Sequence, residues 1–395
     1  MKKKTFTAGK LGLAVLGVIL FVLLVYALYV ILTYHRIEDR QILEINSSAA
    51  DLGPVRTGET YSIISYNIGF GAYTPDFSFF MDGGKSSVAK SRESVRSTVE
   101  GAARLARELD PDFAIFEEVD LDSTRSHHVD EQALIGQAFP EYACAFAINY
   151  DSAFLMVPPW EPHGKSLSGI GFYSKYQISS SLRRSLPIST DFHKFLDLDR
   201  CYTVSRIPVE NGKTLCIYSV HLSAYGNNAE IRKSQITMLA EDMKTEREAG
   251  NYVVCGGDFN HDLIRQDLSE ESTFSWAYPF PREYLPEGFT LATDALTEEE
   301  REGLSPSTRN ADVPYTPGST LTLTVDGFLF SDNIAFENFQ VIDTQFQYSD
   351  HNPVVLEFRL TQEKGQSVNA DFAPCYENKT RSKELNLDNK CFQQL

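Results

Sequence analysis

In the stretch 253–262, a short apolar segment ends at two glycines and opens into a polar loop. Alternate residues of an extended chain share a face, so Asp258 and Asn260 are predicted to point into one pocket, with Phe259 turned toward the core. The glycines allow a tight backbone exit and a close approach to a ligand. The alternative is an ordinary turn after a strand, because Asp and Asn are common turn residues.

The same arrangement recurs along the chain, because other β-prone apolar segments also end at a polar residue. Between some of them, residues 92–110 and 228–248 carry apolar side chains at helical spacing. Several strand ends that are acidic or polar indicate a shared site on one rim of a sheet, where functional loops are displayed. The polar residues that follow these other segments are Asn67, Glu118, His221, Asp326, Asp350 and His351.

The residue types at these strand ends suit a metal-assisted phosphate site. Hard cations such as Mg²⁺ prefer carboxylate and amide oxygens, which Glu118, Asp350 and Asn67 supply. Phosphate oxygens accept from donors such as Asn260 and His221.

A histidine and a carboxylate are predicted to form a pair in the same site. Histidine titrates nearest neutrality, so it suits activation of a water molecule. A histidine in this role is usually held by a carboxylate, and Asp326 is the candidate partner of His351.

Together and in this order, these segments resemble the motifs of the endonuclease/exonuclease/phosphatase superfamily. That Mg²⁺-dependent fold is shared by DNase I-like nucleases, inositol polyphosphate phosphatases and neutral sphingomyelinases. The resemblance covers about residues 61–360 and implies an α/β fold, a DNase I-like two-layer sandwich of mixed β-sheets flanked by helices. The segments that carry it are 66–68, 116–119, 219–222, 257–260, 325–328 and 349–354.

The resemblance also implies a role for each residue. Asp258 orients or deprotonates the attacking water, Asn260 and His221 bind phosphate oxygens, and His351 acts as a base or as a transition-state stabiliser. The metal ligands that it implies are Asn67, Glu118 and Asp350, with Mg²⁺ as the ion and Mn²⁺ as an alternative. The catalytic residues that it implies are His221, Asp258, Asn260, Asp326 and His351.

Two positions depart from the motifs of particular subgroups of the superfamily. Residues His261 and Asp262 follow the Gly-Asp-x-Asn motif, where inositol 5-phosphatases carry Tyr and Arg. His221 stands where abasic-site repair nucleases tend to carry Tyr. Both subgroups are therefore disfavoured.

The first forty residues indicate a membrane anchor. The apolar run 11–33 carries no charge and exceeds the roughly 20 residues that a membrane-spanning helix needs. It is too long for the apolar part of a cleaved signal, and no small-x-small site closes it. Four lysines lie on its N-terminal side, so residues 1–10 are predicted to be cytoplasmic and the rest extracytoplasmic, in a single-pass protein of the cell membrane. The alternative is a buried core helix.

The remaining chain divides into three predicted parts. Residues 34–59 read as a polar stalk, 60–360 as the catalytic domain and 361–395 as a polar tail. Cys216 and Cys255 lie in apolar segments as core residues, whereas Cys375 and Cys391 bracket the tail and could pair in an oxidising compartment.

The formal net charge of −18 argues against a broad basic surface for nucleic acid. The substrate classes that remain are a phospholipid, a small phosphodiester and nucleic acid, of which the first two better suit a membrane tether. The membrane is the one predicted partner besides the substrate, and no protein partner is predicted. A catalytically inactive surface-binding protein that keeps the fold is the alternative from another class.

Overall fold

The protein was analysed as a computed structural model, which describes residues 8–46, 53–195, 197–223, 229–265 and 276–362. Most of the predicted tail, including Cys375 and Cys391, lies outside the described residues, as do the first seven residues. The helices are α1 (Ala8–Thr33), α2 (Arg92–Glu108), α3 (Glu131–Ala138), α4 (Ala229–Glu248) and α5 (Glu298–Glu302). The strands are β1 (Gln41–Ile42), β2 (Ile45–Asn46), β3 (Thr60–Asn67), β4 (Phe113–Asp120), β5 (Ala143–Asp151), β6 (Leu167–Ser174), β7 (Ser180–Ser185), β8 (Cys201–Pro208), β9 (Thr214–His221), β10 (Tyr252–Asp258), β11 (Phe289–Leu291), β12 (Thr308–Arg309), β13 (Thr322–Leu323), β14 (Asp326–Ser331), β15 (Ile334–Val341) and β16 (Val354–Leu360).

Two seven-stranded sheets form the centre of the described structure. One has the order β1-β7-β8-β9-β10-β14-β11 and the other the order β15-β16-β3-β4-β6-β5-β2. Each sheet contains one parallel pair, β9 with β10 and β3 with β4, among antiparallel neighbours. The predicted sandwich of mixed sheets is therefore confirmed.

The apolar core lies in three layers. Between the sheets, side chains from both of them pack together, including Ile115 and Phe172 from one sheet and Ile217 and Val254 from the other. On the outer face of the second sheet, α2 buries a stripe of small and branched residues that includes Val95. Helix α4 covers the outer face of the first sheet in the same way. The helices therefore flank the sandwich, as expected from their amphipathic spacing.

The segment 34–59, predicted as a polar stalk, packs on the domain in its described part. Strand β1 pairs with β7 and β2 pairs with β5, so the described part of the segment adds an edge strand to each sheet. Leu43 and Val55 are buried in the core between the sheets. Burial of these apolar side chains favours packing on the domain over a solvated linker.

Helix α1 is the one described helix that is long and apolar enough to cross a membrane, by its length and composition. Its candidate span is Gly9–Thr33, with a mean hydropathy of 3.0, and its apolar stretch is not buried inside the described part of the chain. Such a helix near the N-terminus is a membrane anchor or a signal sequence.

Candidate active site

The predicted site residues meet at one rim because the parallel strands end there together. Strands β9 and β10 end at His221 and Asp258, which are directly paired, and Asp258 is also paired with Asp326 at the start of β14. The amide of Asn67, at the end of β3 in the other sheet, donates to Asp258 Oδ2 at 3.2 Å. The site therefore bridges the two sheets at the end of the sandwich.

The 253–262 stretch forms both features that its sequence predicts, a carboxylate that faces the site and a turn after the strand. The backbone N–H of Asn260 donates to Asp258 Oδ1 at 2.8 Å, which closes a turn, while Asp258 Oδ2 faces the site. Asn260 adopts a left-handed backbone with φ of 52°, and its side chain donates to the Leu222 carbonyl at 2.9 Å. Phe259 is buried against the α4 side of the sheet, as expected.

Gly257 is needed for a different reason from the predicted approach to a ligand. Its φ is 146°, and a Cβ atom there would lie 2.0 Å from the carbonyl oxygen of Val220 in the neighbouring strand. The glycine therefore allows close strand pairing just before Asp258.

The predicted pairing of His351 with Asp326 is present. His351 Nδ1 lies 2.8 Å from Asp326 Oδ2, and His351 Nε2 lies 3.9 Å from Asp258 Oδ2. Burial by itself would lower the pKa of His351, but the charge and hydrogen bond of Asp326 raise it well above its usual value. The pair therefore favours an imidazolium that points its Nε2–H toward the site.

Ser307 completes this pair and was missed from the sequence. Its hydroxyl donates to Asp326 Oδ2 at 2.6 Å and accepts the backbone N–H groups of Val325 and Asp326. It lies in an irregular segment before β12 without a motif of its own, so we find no sequence signal that would have identified it.

Asp258 is a buried carboxyl group among groups of both signs. Burial raises its pKa to about 7, the Asp326 carboxylate adds to that rise, and His351 opposes it. This value suits a group that exchanges a proton near neutral pH.

His221 is buried beside the same carboxylate. Its Nε2 atom lies 3.6 Å from Asp258 Oδ2 and 4.0 Å from Glu118 Oε1. Burial lowers its pKa well below the usual value, and the nearby positive charge of Arg200 adds to this. His221 is therefore a neutral imidazole, able to donate through only one ring nitrogen.

A bulge in β4 decides which of two adjacent glutamates faces the site. The register with β6 shifts between Phe116 and Val119, and Glu118 has a φ of 54°. Glu117 instead points into the interior, where the Ser65 hydroxyl donates to it at 2.7 Å. The bulge therefore directs Glu118 toward the rim, as the resemblance of segment 116–119 to the superfamily motif predicted.

Asn67 and Asp350 lie on the same side as Glu118. The side-chain nitrogen of Asn67 lies 3.5 Å from Glu118 Oε1, and the side-chain oxygen of Asn67 accepts the Gly69 N–H. Ser349 bonds both the Asn67 backbone carbonyl and Asp350 Oδ1. A Cβ atom on Gly69 would come within 3.0 Å of Asp350 Oδ1, so the turn after β3 needs this glycine.

The donor set suits a divalent cation. Burial raises the pKa of Glu118, Arg125 opposes the rise and the Asp350 carboxylate adds to it, so two carboxylates repel each other here. Ligand atoms of Asp258, Asp326 and His351 also lie within 4.8 Å of one another. Asp326 Oδ2 already accepts hydrogen bonds from Ser307 and His351. The carboxylate oxygens on the Glu118 side of the site are therefore better placed to bind a cation. A cation among them would relieve the repulsion.

Two buried arginines border the site. Arg125 forms two hydrogen bonds with Asp120, at 3.1 and 2.9 Å, and its guanidinium lies 4.0 Å from the centre of the Phe70 ring. It was not identified from the sequence. Arg200 is buried and donates to the Leu222 carbonyl that also binds Asn260. In this structure Arg200 therefore supports the His221 loop.

Comparison with known proteins supports the family resemblance that the sequence motifs indicate. The model of the Endonuclease/Exonuclease/phosphatase family matches residues 64–351, a range that contains all eight predicted site residues. Among curated protein sequences, none matches this chain.

Several solved structures resemble this chain at low sequence identity, and those with a TM-score of at least 0.50 share its fold. An endonuclease/exonuclease/phosphatase from Beutenbergia cavernae DSM 12333 is 16% identical, with a TM-score of 0.56 over 76% of this chain and 72% of that one. ANGEL2, a 2′,3′-cyclic phosphatase in complex with adenosine-2′,3′-vanadate, is 14% identical, with a TM-score of 0.50 over 81% of this chain and 99% of that one. The catalytic domain of human Nocturnin is 17% identical, with a TM-score of 0.48 over 81% of this chain and 98% of that one. Since the family model matches well over half of the length of this chain, the chain belongs to the Endonuclease/Exonuclease/phosphatase family.

Proposed function

We propose that this protein is a Mg²⁺-dependent hydrolase of phosphoester bonds, with Mn²⁺ as an alternative ion. The observation that carries the proposal is the position of Asp258 Oδ2, within 3.2 to 3.9 Å of Asn67, His221 and His351. A carboxylate so placed can accept a proton while its neighbours donate to a phosphate group. Membership of the family supports this reaction class.

Asp258 is the proposed base for the attacking water. Its raised pKa, about 7, allows it to take up a proton near neutrality. The Asn67 amide and the Asn260 backbone hold its two oxygens in place. Water oriented by Asp258 would attack phosphorus in line with the leaving oxygen.

His351 and His221 are the proposed donors to the phosphate oxygens, together with Asn260. The raised pKa of His351 favours a cation, so its Nε2–H suits stabilisation of developing negative charge better than proton abstraction. Asp326 fixes the orientation of that ring through the 2.8 Å contact.

Glu118 and Asp350, with Asn67 beside them, are the proposed metal ligands. When bound, the ion would neutralise charge on the phosphate and polarise the bond to phosphorus. The protein residues supply orientation and proton transfer around it.

A phospholipid or small phosphodiester is the proposed substrate class. Nucleic-acid binding depends on phosphate contacts from Lys and Arg, and the formal net charge of −18 opposes this. Helix α1 would anchor the enzyme in the cell membrane with residues 1–10 in the cytoplasm and the domain outside. Protease added to intact cells should then remove the domain, and a domain left intact in those cells would contradict this orientation.

The test of the reaction uses the full chain in nanodiscs. Sphingomyelin, phosphoinositides and plasmid DNA are offered in parallel, with Mg²⁺ and with EDTA. We expect turnover of a lipid phosphoester that stops with EDTA and returns with Mg²⁺. Turnover of DNA alone would favour the nuclease alternative. An absence of turnover with every substrate would favour an inactive surface-binding protein.

A further inference from the structure

An exposed apolar loop lies between β5 and β6. We call residues 154–160 the apolar loop. Four of its large side chains are exposed together, whereas Leu155 is buried. A local cluster of exposed apolar side chains marks an interaction surface more often than it marks chance exposure. The exposed fractions are 37% for Phe154, 47% for Met156, 49% for Val157 and 80% for Trp160.

The apolar loop is hydrogen-bonded to helix α1. The Tyr26 hydroxyl donates to the Phe154 carbonyl at 3.2 Å and accepts the Met156 N–H at 2.9 Å. The Tyr29 hydroxyl accepts the Phe154 N–H at 3.1 Å. Three hydrogen bonds to two tyrosines therefore fix the level of the loop along the helix.

That level corresponds to the surface of a bilayer. At about 1.5 Å of rise per residue, the helix from residue 11 to residue 29 is about 28 Å long, close to the roughly 30 Å of a hydrocarbon core. With Lys10 at the cytoplasmic boundary, Tyr26 and Tyr29 lie at the opposite boundary, where aromatic side chains concentrate. The apolar loop lies at the same depth.

The connection between α1 and the domain is also held firmly. Arg36 forms an ion pair with Asp199 at 2.5 Å, and the Ile37 N–H donates to the same carboxylate. Tyr34 packs edge-on against Phe195, with ring centres 5.0 Å apart. These contacts limit rotation of the domain about the end of the helix, so the apolar loop faces the bilayer persistently.

The residues that follow the apolar loop connect it to the segment before Arg125. Glu161 accepts the Ser87 N–H at 2.7 Å, and Lys165 exchanges hydrogen bonds with Thr124. Thr124 precedes Arg125, whose guanidinium lies 4.0 Å from the centre of the Phe70 ring, in the turn that follows Asn67. Contact of the loop with lipid would therefore hold this side of the site near the membrane.

We infer that the apolar loop inserts into the headgroup layer of the same phospholipid bilayer that α1 spans, as a second membrane contact beside the helix. This inference rests on the proposed anchoring by α1. It deepens the proposed function, because an active site held against the bilayer takes its phosphoester from a lipid headgroup.

The two tryptophans of the chain provide a direct test. Trp160 belongs to the apolar loop, whereas Trp276 packs beside Leu323 and Val325 in the domain. Full-length W276F and W160F proteins are reconstituted in phosphatidylcholine vesicles that carry bromine on acyl carbons near the headgroup. We expect strong quenching of Trp160 in W276F and weak quenching of Trp276 in W160F. Unquenched Trp160 that remains accessible to aqueous iodide would overturn the inference.

A second measurement tests the consequence for the substrate. The M156S/V157S/W160S variant keeps α1, so it stays anchored in vesicles. We expect a several-fold loss of lipid phosphoester turnover, with turnover of soluble bis(4-nitrophenyl) phosphate unchanged. Equal effects on both substrates would contradict a role in lipid access. The quenching test needs no activity, so an inactive protein would overturn the proposed function and leave the loop inference standing on its own measurement.

Discussion

His351 Nδ1 lies 2.8 Å from Asp326 Oδ2, and the same oxygen accepts the Ser307 hydroxyl at 2.6 Å. Asp326 thus holds the imidazole in one orientation while Ser307 holds Asp326. The three residues come from separate segments, and Asp326 also acts on Asp258, because its negative charge adds to the rise in the pKa of Asp258.

Replacing Asp326 by Asn should impair catalysis more than folding. The amide keeps the shape but loses the negative charge that raises the pKa of His351. We expect kcat for a soluble phosphodiester to fall by about 10²- to 10⁴-fold, the usual range for a lost acid–base or charge-stabilising group. Ser307→Ala, which leaves His351 and Asp326 paired, should cost much less. Equal losses in the two variants would contradict a specific role for the Asp326 charge.

Glu118 and Glu117 form a matched pair for testing the metal site. Glu118→Gln should weaken Mg²⁺ binding, measured by calorimetry, by at least the roughly 10- to 100-fold typical of altered metal sites. Glu117→Gln should change it little, because Glu117 points into the interior toward Ser65 and burial raises its pKa well above the usual value, which disfavours a negative charge there. A stronger loss of Mg²⁺ binding in Glu117→Gln than in Glu118→Gln would show that Glu117, and not Glu118, is the metal ligand.

Metal binding should be coupled to proton release. Burial raises the pKa of Asp258 to about 7 and also raises that of Glu118. A bound ion should therefore displace protons from its ligand Glu118 and, through its positive charge, from the neighbouring Asp258. Mg²⁺ affinity should therefore increase as the pH rises through about 7. Calorimetry in buffers of different ionisation enthalpy measures the protons released. Asp258→Asn should reduce that number, and an unchanged number would show that Asp258 carries no displaced proton.

Much of the active site could be predicted because its residues lie at strand ends with recognisable local patterns. The choice of Glu118 over Glu117 came from the family motif, and its physical cause is the β4 bulge. Ser307 and Arg125 could not be predicted, since both act through tertiary contacts from segments without periodicity. All eight site residues gather at one rim, and their individual roles stay predictions.

The predicted fold class is confirmed, whereas several elements were not anticipated. Strands β5, β7, β8 and β15 were missed, and β11 adds an edge strand beside β14. The two-residue strands β1 and β2 are too short to show an alternating pattern. Their pairing depends on the sheet edges that other segments create.

Acid should destabilise the fold partly through His163. Burial lowers its pKa to about 4, from an ordinary value near 6.5. Between these values the unfolded chain binds the proton and the folded chain does not, so stability falls as the pH drops from about 6.5 to about 4. Replacement by Gln should remove a pH-dependent loss on the order of 3 kcal/mol at pH 4. Thermal unfolding at pH 7.5 and pH 4.5 checks this, and parallel pH profiles for the two proteins would contradict it.

Arg183 should contribute more to stability than an exposed arginine. It is fully buried, and it donates to the carbonyls of Ile148, Glu38 and Asp199. It therefore joins β5 and the segment after α1 to the Asp199 loop. Arg183→Met leaves these buried carbonyls without their arginine donor, and a buried acceptor left unsatisfied costs about 1–3 kcal/mol. The Asp199 carboxylate keeps Arg36 and the Ile37 N–H as partners.

The matched control is Arg96→Met, because Arg96 forms an exposed pair with Glu100 at 3.1 Å. Such surface pairs contribute about 0–1 kcal/mol, so this change should shift thermal unfolding of the full chain in nanodiscs only slightly. Arg183→Met should lower the unfolding temperature far more and expose the segment 34–46 to proteolysis. Similar shifts in the two variants would show that the segment after α1 is held by its edge strands and apolar contacts, without a need for the buried guanidinium.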